Sequence, residues 1–281
     1  MKQLEPTLIR PLVERLIAED VGRGDVTTQA VIPAELEGRA RIEAREEAMV
    51  AGLDVARMCF EIMEPGEIEW HPKCGDGDLV KAGDTVVVLE TAMRTILTAE
   101  RTALNLLARM SGVATSTAAL VAAVAGTSAR VVDTRKTMPG LRVLDKYAVR
   151  VAGASNHRFG LGDGVLIKDN HVAAVGGVVE AVRRAKIQAP HGLRVEVEVQ
   201  SMDELDQALE AGADVVLLDN MTPQEVGGAV ERTRGRALLE ASGGITLHTA
   251  RAYAETGVDL ISSGAITHSA RNIDFSLEVE H

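Results

Sequence analysis

The chain has almost no aromatic side chains: three Phe, two Tyr and one Trp, 2% of its 281 residues. A core without them must be assembled from Ala, Val, Leu and Ile, and there is no row of rings on which nucleobases could stack. Positive charge is also in deficit, with 30 Lys and Arg against 41 Asp and Glu and a net charge of -11. Both shortages argue against nucleic acid as the main partner. Cysteine is reduced to Cys59 and Cys74, too few for a disulfide framework, so a reducing cytoplasm is the expected setting. The start has no basic segment followed by an apolar core, and no signal peptide is expected. No apolar run is read as approaching the roughly 18 residues of a membrane helix. What remains, 46% hydrophobic and 25% charged residues, is the composition of a soluble globular protein. The length suits one barrel-sized domain, alone or with a smaller companion.

Against this acidic background one stretch is cationic. From Arg130 to His171 there are eight Lys or Arg and four Asp or Glu. They fall in Asp133-Thr134-Arg135-Lys136-Thr137, Asn156-His157-Arg158 and Ile167-Lys168-Asp169-Asn170-His171. Several adjoin short apolar runs, Val131-Val132 and Val165-Leu166-Ile167, whose strand ends would converge them on one spot. Fixed cations converging in a pocket suit a ligand rich in phosphates and carboxylates. A solvated basic face is the plain alternative.

Periodicity gives the architecture. Leu8, Ile9, Leu12, Val13, Leu16 and Ile17 share a helical face, and a Gly/Asp-rich loop then leads into Ala30-Val31-Ile32. Residues 38–52 and 67–90 alternate apolar and polar and carry turn signals such as Gly75-Asp76-Gly77-Asp78, so a small β-rich region is expected there. Glu90-Thr91-Ala92-Met93-Arg94 has the setting of a biotin or lipoate carrier, but Arg94 stands where the modified Lys would be, and Arg cannot form the amide. From Thr98 to about Ala125 the pattern is helical. Beyond it, short apolar strands end in polar residues: Val131–Asp133, Val165–Lys168, Val195–Val199, Val215–Asp219, Leu238–Ser242 and Leu260–Ser263. Helical segments lie between them, including 178–188, 202–211, 224–232 and 249–256. Intervals of 30, 21, 23 and 21 residues separate Lys168, Glu198, Asp219, Ser242 and Ser263, each about one strand, one helix and two loops. That repeat predicts a parallel β/α barrel with fewer than eight strands.

In such barrels the C-terminal strand ends build the active site. Arg135, Lys136, Arg158 and Lys168 supply cations there, His157 can donate or accept a proton, and Glu198 and Asp219 face them from later strands. Paired carboxylates opposite a cationic wall suit a ligand with hydroxyls and a divalent cation. Ser242-Gly243-Gly244 and Ser263-Gly264-Ala265 let backbone amides approach a phosphate. Each residue also has a bland reading. Alternation puts Glu196 and Glu198 on one side of their strand, where either could be paired inside the barrel. Lys168 could form a Schiff base as easily as bind phosphate, and Asp219 is expensive to bury unless paired.

Taken in order, these motifs identify a resemblance to the quinolinate phosphoribosyltransferase family, also called nicotinate-nucleotide pyrophosphorylase (carboxylating). It is carried by Glu19-Asp20 with Gly24-Asp25-Val26-Thr27-Thr28, Glu100-Arg101-Thr102-Ala103-Leu104-Asn105 and Ser111-Gly112. It continues through Asp133–Thr137 with Pro139-Gly140, Asn156-His157-Arg158, Lys168–His171, Glu196-Val197-Glu198, Leu218-Asp219-Asn220 and Ser242-Gly243-Gly244, and ends at Gly264–Ser269. The resemblance implies transfer of phosphoribosyl from phosphoribosyl pyrophosphate to quinolinate with Mg²⁺, releasing pyrophosphate and CO₂ and giving nicotinate mononucleotide for NAD synthesis. It implies an N-terminal α/β, β-rich sandwich domain, 1–112, to which the tail 270–281 could return, and a catalytic β/α barrel, 113–269. It implies a homodimer in which Arg101 reaches the partner's site.

Carried over by position, Arg135, His157, Arg158 and Lys168 would surround the quinolinate carboxylates, with Lys136 and Lys168 near the pyrophosphate and Thr137 also binding substrate. Glu198 and Asp219 would hold the ribose hydroxyls and metal. Ser242, Gly243, Gly244, Ser263, Gly264, Ala265 and His268 would form the phosphate corner. The acting groups would be Lys136, Lys168, Glu198 and Asp219. Two positions depart from the pattern: Ala152-Gly153-Ala154 replaces an expected run of three glycines, and Met138 an often small or polar residue. Related transferases for other pyridine acids, a Schiff-base aldolase and a non-catalytic phosphosugar-binding barrel are the competing readings.

Overall fold

A computed structural model describes residues 4–64 and 66–280. The elements begin α1 (Pro6–Val21), α2 (Val26–Val31), β1 (Glu37–Ala44), β2 (Ala48–Met49), α3 (Leu53–Met63), β3 (Glu69–Pro72), β4 (Leu79–Val80), β5 (Thr85–Ala92) and α4 (Met93–Ala123). Next come β6 (Arg130–Val132), α5 (Arg142–Val151), β7 (Val165–Ile167), α6 (Asp169–Val175), α7 (Val178–Gln188), β8 (Val195–Val199), α8 (Met202–Glu210) and β9 (Val215–Asp219). The chain closes with α9 (Pro223–Thr233), β10 (Leu238–Ser242), α10 (Ala250–Ala254), β11 (Leu260–Ser262), α11 (Ala265–His268) and β12 (Phe275–Glu280). Contacts divide it into two units: 1–118 with 138–153 and 269–281, and 119–137 with 154–268.

The first unit is built on an antiparallel sheet in the order β12-β1-β5-β3. Alternation along β1 buries Ala40, Ile42 and Ala44, and the last strand of the chain pairs with β1 from Arg39↔Glu280 to Ala44↔Phe275. The segment after Gly24 is a short helix: Asp25 accepts the Thr28 amide at 2.9 Å and so caps α2, satisfying a donor that the helix itself leaves open. In α4, Ile96, Ala99, Ala103, Leu107, Met110 and Ala114 are buried at helical spacing. Gly112 lies where a Cβ would meet the Arg271 carbonyl oxygen at 1.9 Å, so the returning tail requires glycine there. The expectation of no membrane-length apolar segment is corrected by the same helix. Its most apolar 18-residue window has mean hydropathy 1.4, enough by length and composition to cross a membrane, and 56% of that window is buried inside the protein. Such burial is that of a core helix.

The second unit is a parallel β/α barrel of six strands, in the order β6-β11-β10-β9-β8-β7. Beyond β6, Ser155 makes a parallel bridge to Val132. Local capping starts the helices between the strands; α9, for example, opens with Pro223 and a reciprocal Thr222–Glu225 capping box. Register arranges the interior in levels. Glu198, Leu217 and Glu240 are neighbours on β8, β9 and β10. Asp219 and Ser242 pair one level above them, and Glu196 and Val215 one level below. Since side chains repeat every two residues along a strand, all of these face the barrel interior. The opposite face of β8 is the buried row Val195, Val197 and Val199.

Candidate active site

A cavity of about 230 Å³ opens at the C-terminal ends of the barrel strands. Arg135 and Lys136 enter it from the loop after β6, His157 and Arg158 from the segment after Ser155, and Lys168 from the end of β7. Glu198 and Asp219 face them from β8 and β9, and Ser242 and Ser262 complete the rim. Sequence reasoning named all of these except Ser262. The cavity also takes in Thr134, Leu166, Leu217 and Glu240, to which the sequence reading assigns no site role.

The segment carrying His157 is fastened by a buried carboxylate. Asp133 is fully buried and accepts the His157 amide at 2.8 Å and the Asn156 side-chain amide at 2.8 Å. An ionised carboxylate accepting amides is a strong anchor, and it explains why Asp133 must precede the cationic pair. The Arg158 amide donates to His157 Nδ1 at 2.7 Å, so the neutral imidazole carries its proton on Nε2. Nε2 faces Glu196 Oε2 at 3.1 Å and Glu240 Oε2 at 3.7 Å. Arg158 reaches back to the Gly164 carbonyl at 3.0 Å. Burial, with Arg135 close by, lowers its affinity for a proton, the condition of a guanidinium held for an incoming anion.

Glu198 and Glu240 are tuned in the opposite sense. Burial and the charge of Asp219 raise the Glu198 pKa, against the pull of Lys168. Glu198 and Asp219 offer hard oxygen ligands to a divalent cation, whose charge would relieve the strain on Glu198. Glu240, 1% exposed on β10, is pushed up to about 7 by burial and then by Glu196, against the attraction of His157. Ligand atoms of His157, Glu196 and Glu240 lie within 4.8 Å of one another. The His157 Nε2–Glu196 Oε2 distance of 3.1 Å is nevertheless that of a hydrogen bond. A signal for Glu240 existed in the sequence: one acid inside Leu-Leu-Glu-Ala-Ser is costly to bury unless something answers it.

The remaining predicted residues are distributed around this cavity. Thr137, Gly243, Gly244, Ser263, Gly264, Ala265 and His268 are outside its lining, in or beside the loops after β6, β10 and β11. A Cβ on Gly264 would press on Lys136 and His268 at 2.9 and 3.0 Å, and Thr267 Oγ1 donates to the Lys136 carbonyl at 2.8 Å. Gly243 has φ +95°, with Asn220 Oδ1 2.3 Å from a built Cβ, so close approach of the neighbouring turn demands glycine. The Ser263 hydroxyl donates to the Ile245 carbonyl at 3.3 Å. Ala152 and Ala154 keep ordinary φ, and the left-handed position between them, +85°, is Gly153. The two methyl groups therefore impose no strained backbone. Arg101 belongs to the other unit, on α4, with its side chain 64% exposed.

Two family models match, the quinolinate phosphoribosyl transferase N-terminal domain over residues 25–111 and its C-terminal domain over 113–278. The nicotinate-nucleotide pyrophosphorylase [carboxylating] of Mycobacterium leprae is 46% identical over 275 residues, covering 96% of each chain. NadC from Streptococcus pyogenes superposes with a TM-score of 0.96 at 38% identity, over 100% of this chain and 99% of that one. The nicotinate-nucleotide pyrophosphorylase from Francisella tularensis gives 0.93 at 40% identity, over 99% and 98%.

Proposed function

The chain belongs to the quinolinate phosphoribosyltransferase family, and we propose that the barrel cavity is where it carries out that family's reaction. It transfers phosphoribosyl from phosphoribosyl pyrophosphate to quinolinate with decarboxylation, giving nicotinate mononucleotide, pyrophosphate and CO₂ on the route to NAD. The observation that carries the assignment to this cavity is its polarity: four cations on one side, and three carboxylates, Glu198, Asp219 and Glu240, on the strands facing them.

The chemistry follows from that division. Arg135, Arg158 and Lys168 hold the two quinolinate carboxylates, and His157 lies beside them. Lys136 and Lys168 meet the pyrophosphate and stabilise the charge it takes on as it leaves. Positive charge then builds on the ribose, where Glu198 and Asp219 lie, and carboxylates aimed at developing charge lower the barrier. The pyridine nitrogen attacks C1′. Once that nitrogen is quaternary, its positive charge stabilises the electron pair left on C2 when the C2–carboxylate bond breaks; CO₂ departs and C2 takes up a proton. Glu198 and Asp219 would hold Mg²⁺, which supplies further charge neutralisation for pyrophosphate. Gly264 beside Lys136, with Ser242, Gly243 and His268, forms the corner for the 5′-phosphate. Arg101 serves the site of a second copy in a homodimer, which gives an exposed arginine outside the barrel a role. Two free cysteines, Cys59 buried and pushed up to about 12 by its burial, suit a soluble protein of the reducing cytoplasm.

The test is direct. Purified protein with quinolinate, phosphoribosyl pyrophosphate and Mg²⁺ should form nicotinate mononucleotide and CO₂ in equal amounts, and neither without the metal. Turnover with another pyridine acid but not with quinolinate would reject this substrate.

A further inference from the structure

Decarboxylation leaves a gap in the reaction that the cationic wall does not fill. When the C2–carboxylate bond breaks, its electron pair stays on C2 beside the quaternary nitrogen, and C2 must then gain a proton. Arginines do not give up protons, and His157 Nε2 is turned toward Glu196 Oε2 at 3.1 Å. Of the three carboxylic acids in the cavity, Glu198 and Asp219 are placed for the ribose and metal, which leaves Glu240 to act. Glu240 lines it from β10, level with Glu198 across Leu217. Its Oε2 is 3.7 Å from His157 Nε2, and its Oε1 is buried without a hydrogen-bond partner. A buried oxygen left unanswered is costly and marks a wall that a ligand or a proton completes.

From this geometry, and resting on the phosphoribosyl transfer proposed above, we infer that Glu240 is the general acid that protonates C2 as CO₂ leaves. The Glu240 O–H bond breaks, its proton forms the new C2–H bond, and its electron pair remains on the carboxylate. The C2–carboxylate bond breaks, and its electron pair becomes that C2–H bond. No oxidant or further reactant enters, and the acid is reloaded from water before the next turnover. The carboxylate formed faces His157 Nε2, whose proton can be shared with it. The groups around Glu240 keep it loaded until then: Glu196 on β8 and the more distant Asp133 oppose its ionisation, whereas His157 and Ser262 on β11 favour it. The balance leaves Glu240 protonated up to about pH 7, where a working acid should sit.

Glu240→Gln keeps the shape and removes the proton. In single turnover the variant should release pyrophosphate at near the normal rate while CO₂ release falls on the order of 10²–10⁴-fold, so that the carboxylated nucleotide accumulates. KM for both substrates should stay within about threefold, because the cations that bind them are untouched. The fall of the CO₂ step above about pH 7 should vanish in Glu240→Gln and persist, at reduced rate, in Glu240→Asp. Equal release of pyrophosphate and CO₂ by Glu240→Gln at the wild-type rate would overturn the proposal. So would a rise in KM with kcat unchanged, which marks a merely structural residue. Wild-type enzyme that yields no pyrophosphate from these substrates would instead overturn the parent reaction.

Discussion

Arg109 and Asp145 form a two-pronged buried ion pair that ties α4 to α5. Nε and Nη2 donate to the two carboxylate oxygens at 3.0 and 2.9 Å, and Asp145 also accepts the Met138 amide at 3.0 Å. Arg109 is 8% exposed and Asp145 0%, so removing either partner strands a charge away from water. Asp145→Ala should therefore destabilise by about 3–5 kcal/mol, read as a lower urea midpoint at unchanged slope. Replacing both residues with apolar ones of similar volume should cost much less. Equal losses in the single and double variants would mean that the pair is not what the site needs.

Arg158 sits on the cavity wall with its guanidinium steadied by the Gly164 carbonyl. Arg158→Ala should lower kcat/KM by about 30- to 1000-fold, roughly 2–4 kcal/mol of transition-state binding. Lysine should recover little, because a point charge does not replace a planar fork against a carboxylate. Near-normal kcat/KM in the alanine variant would remove Arg158 from the quinolinate site.

The barrel was legible because its residues repeat one instruction. Each apolar strand ends in a residue that has reason to face solvent or a ligand, and the intervals from Lys168 to Ser263 leave room only for β/α units. Strands β8, β9 and β10 are found over the residues read for them, Val195–Val199, Val215–Asp219 and Leu238–Ser242. Alternation along β8 showed Glu196 and Glu198 on one side but could not distinguish their partners. Those arise from register, which brings Glu196 and Glu240 within reach of one imidazole from strands that are not neighbours. Nor could alternation announce α2, whose start depends on the Asp25 carboxylate accepting from the Thr28 amide and hydroxyl. The length of α4 was visible as a helical pattern, yet its apolar weight was underread, since Ala and Thr between the leucines conceal it.

The facing acids Glu198 and Asp219 should make activity depend on added Mg²⁺. Chelation should abolish turnover and Mg²⁺ restore it. Asp219→Asn removes one charged ligand and should raise the Mg²⁺ needed for half-maximal rate by on the order of tenfold or more, since ligand charge sets affinity for hard cations. A variant with lost kcat but unaltered Mg²⁺ dependence would move the metal off Asp219.

If Arg101 completes a partner's site, two inactive variants should rescue one another. Arg101→Ala and Lys168→Ala, mixed and allowed to exchange subunits, give half mixed dimers with one intact site in each. Activity should rise to about a quarter of wild type, with sedimentation reporting the dimer. No recovery after proven exchange would confine Arg101 to its own chain.

Glu240 should also tilt stability against pH in the unliganded protein. Its pKa rises on folding from 4.5 to about 7, so the folded state keeps a proton that the unfolded state gives up. Below about pH 4.5 both states are protonated and the residue costs nothing. As pH climbs through about 7, its stabilising contribution is lost, to a total on the order of 3 kcal/mol. Glu240→Gln carries no such proton. Its stability relative to wild type should therefore grow between about pH 4.5 and 7 and level off above. Urea unfolding of both proteins at half-unit steps would trace that difference, with the unfolded-state charges common to both cancelling apart from Glu240 itself. Parallel curves would show that Glu240 ionises in the folded barrel as readily as in water, and the buried acid on which C2 protonation depends would not exist.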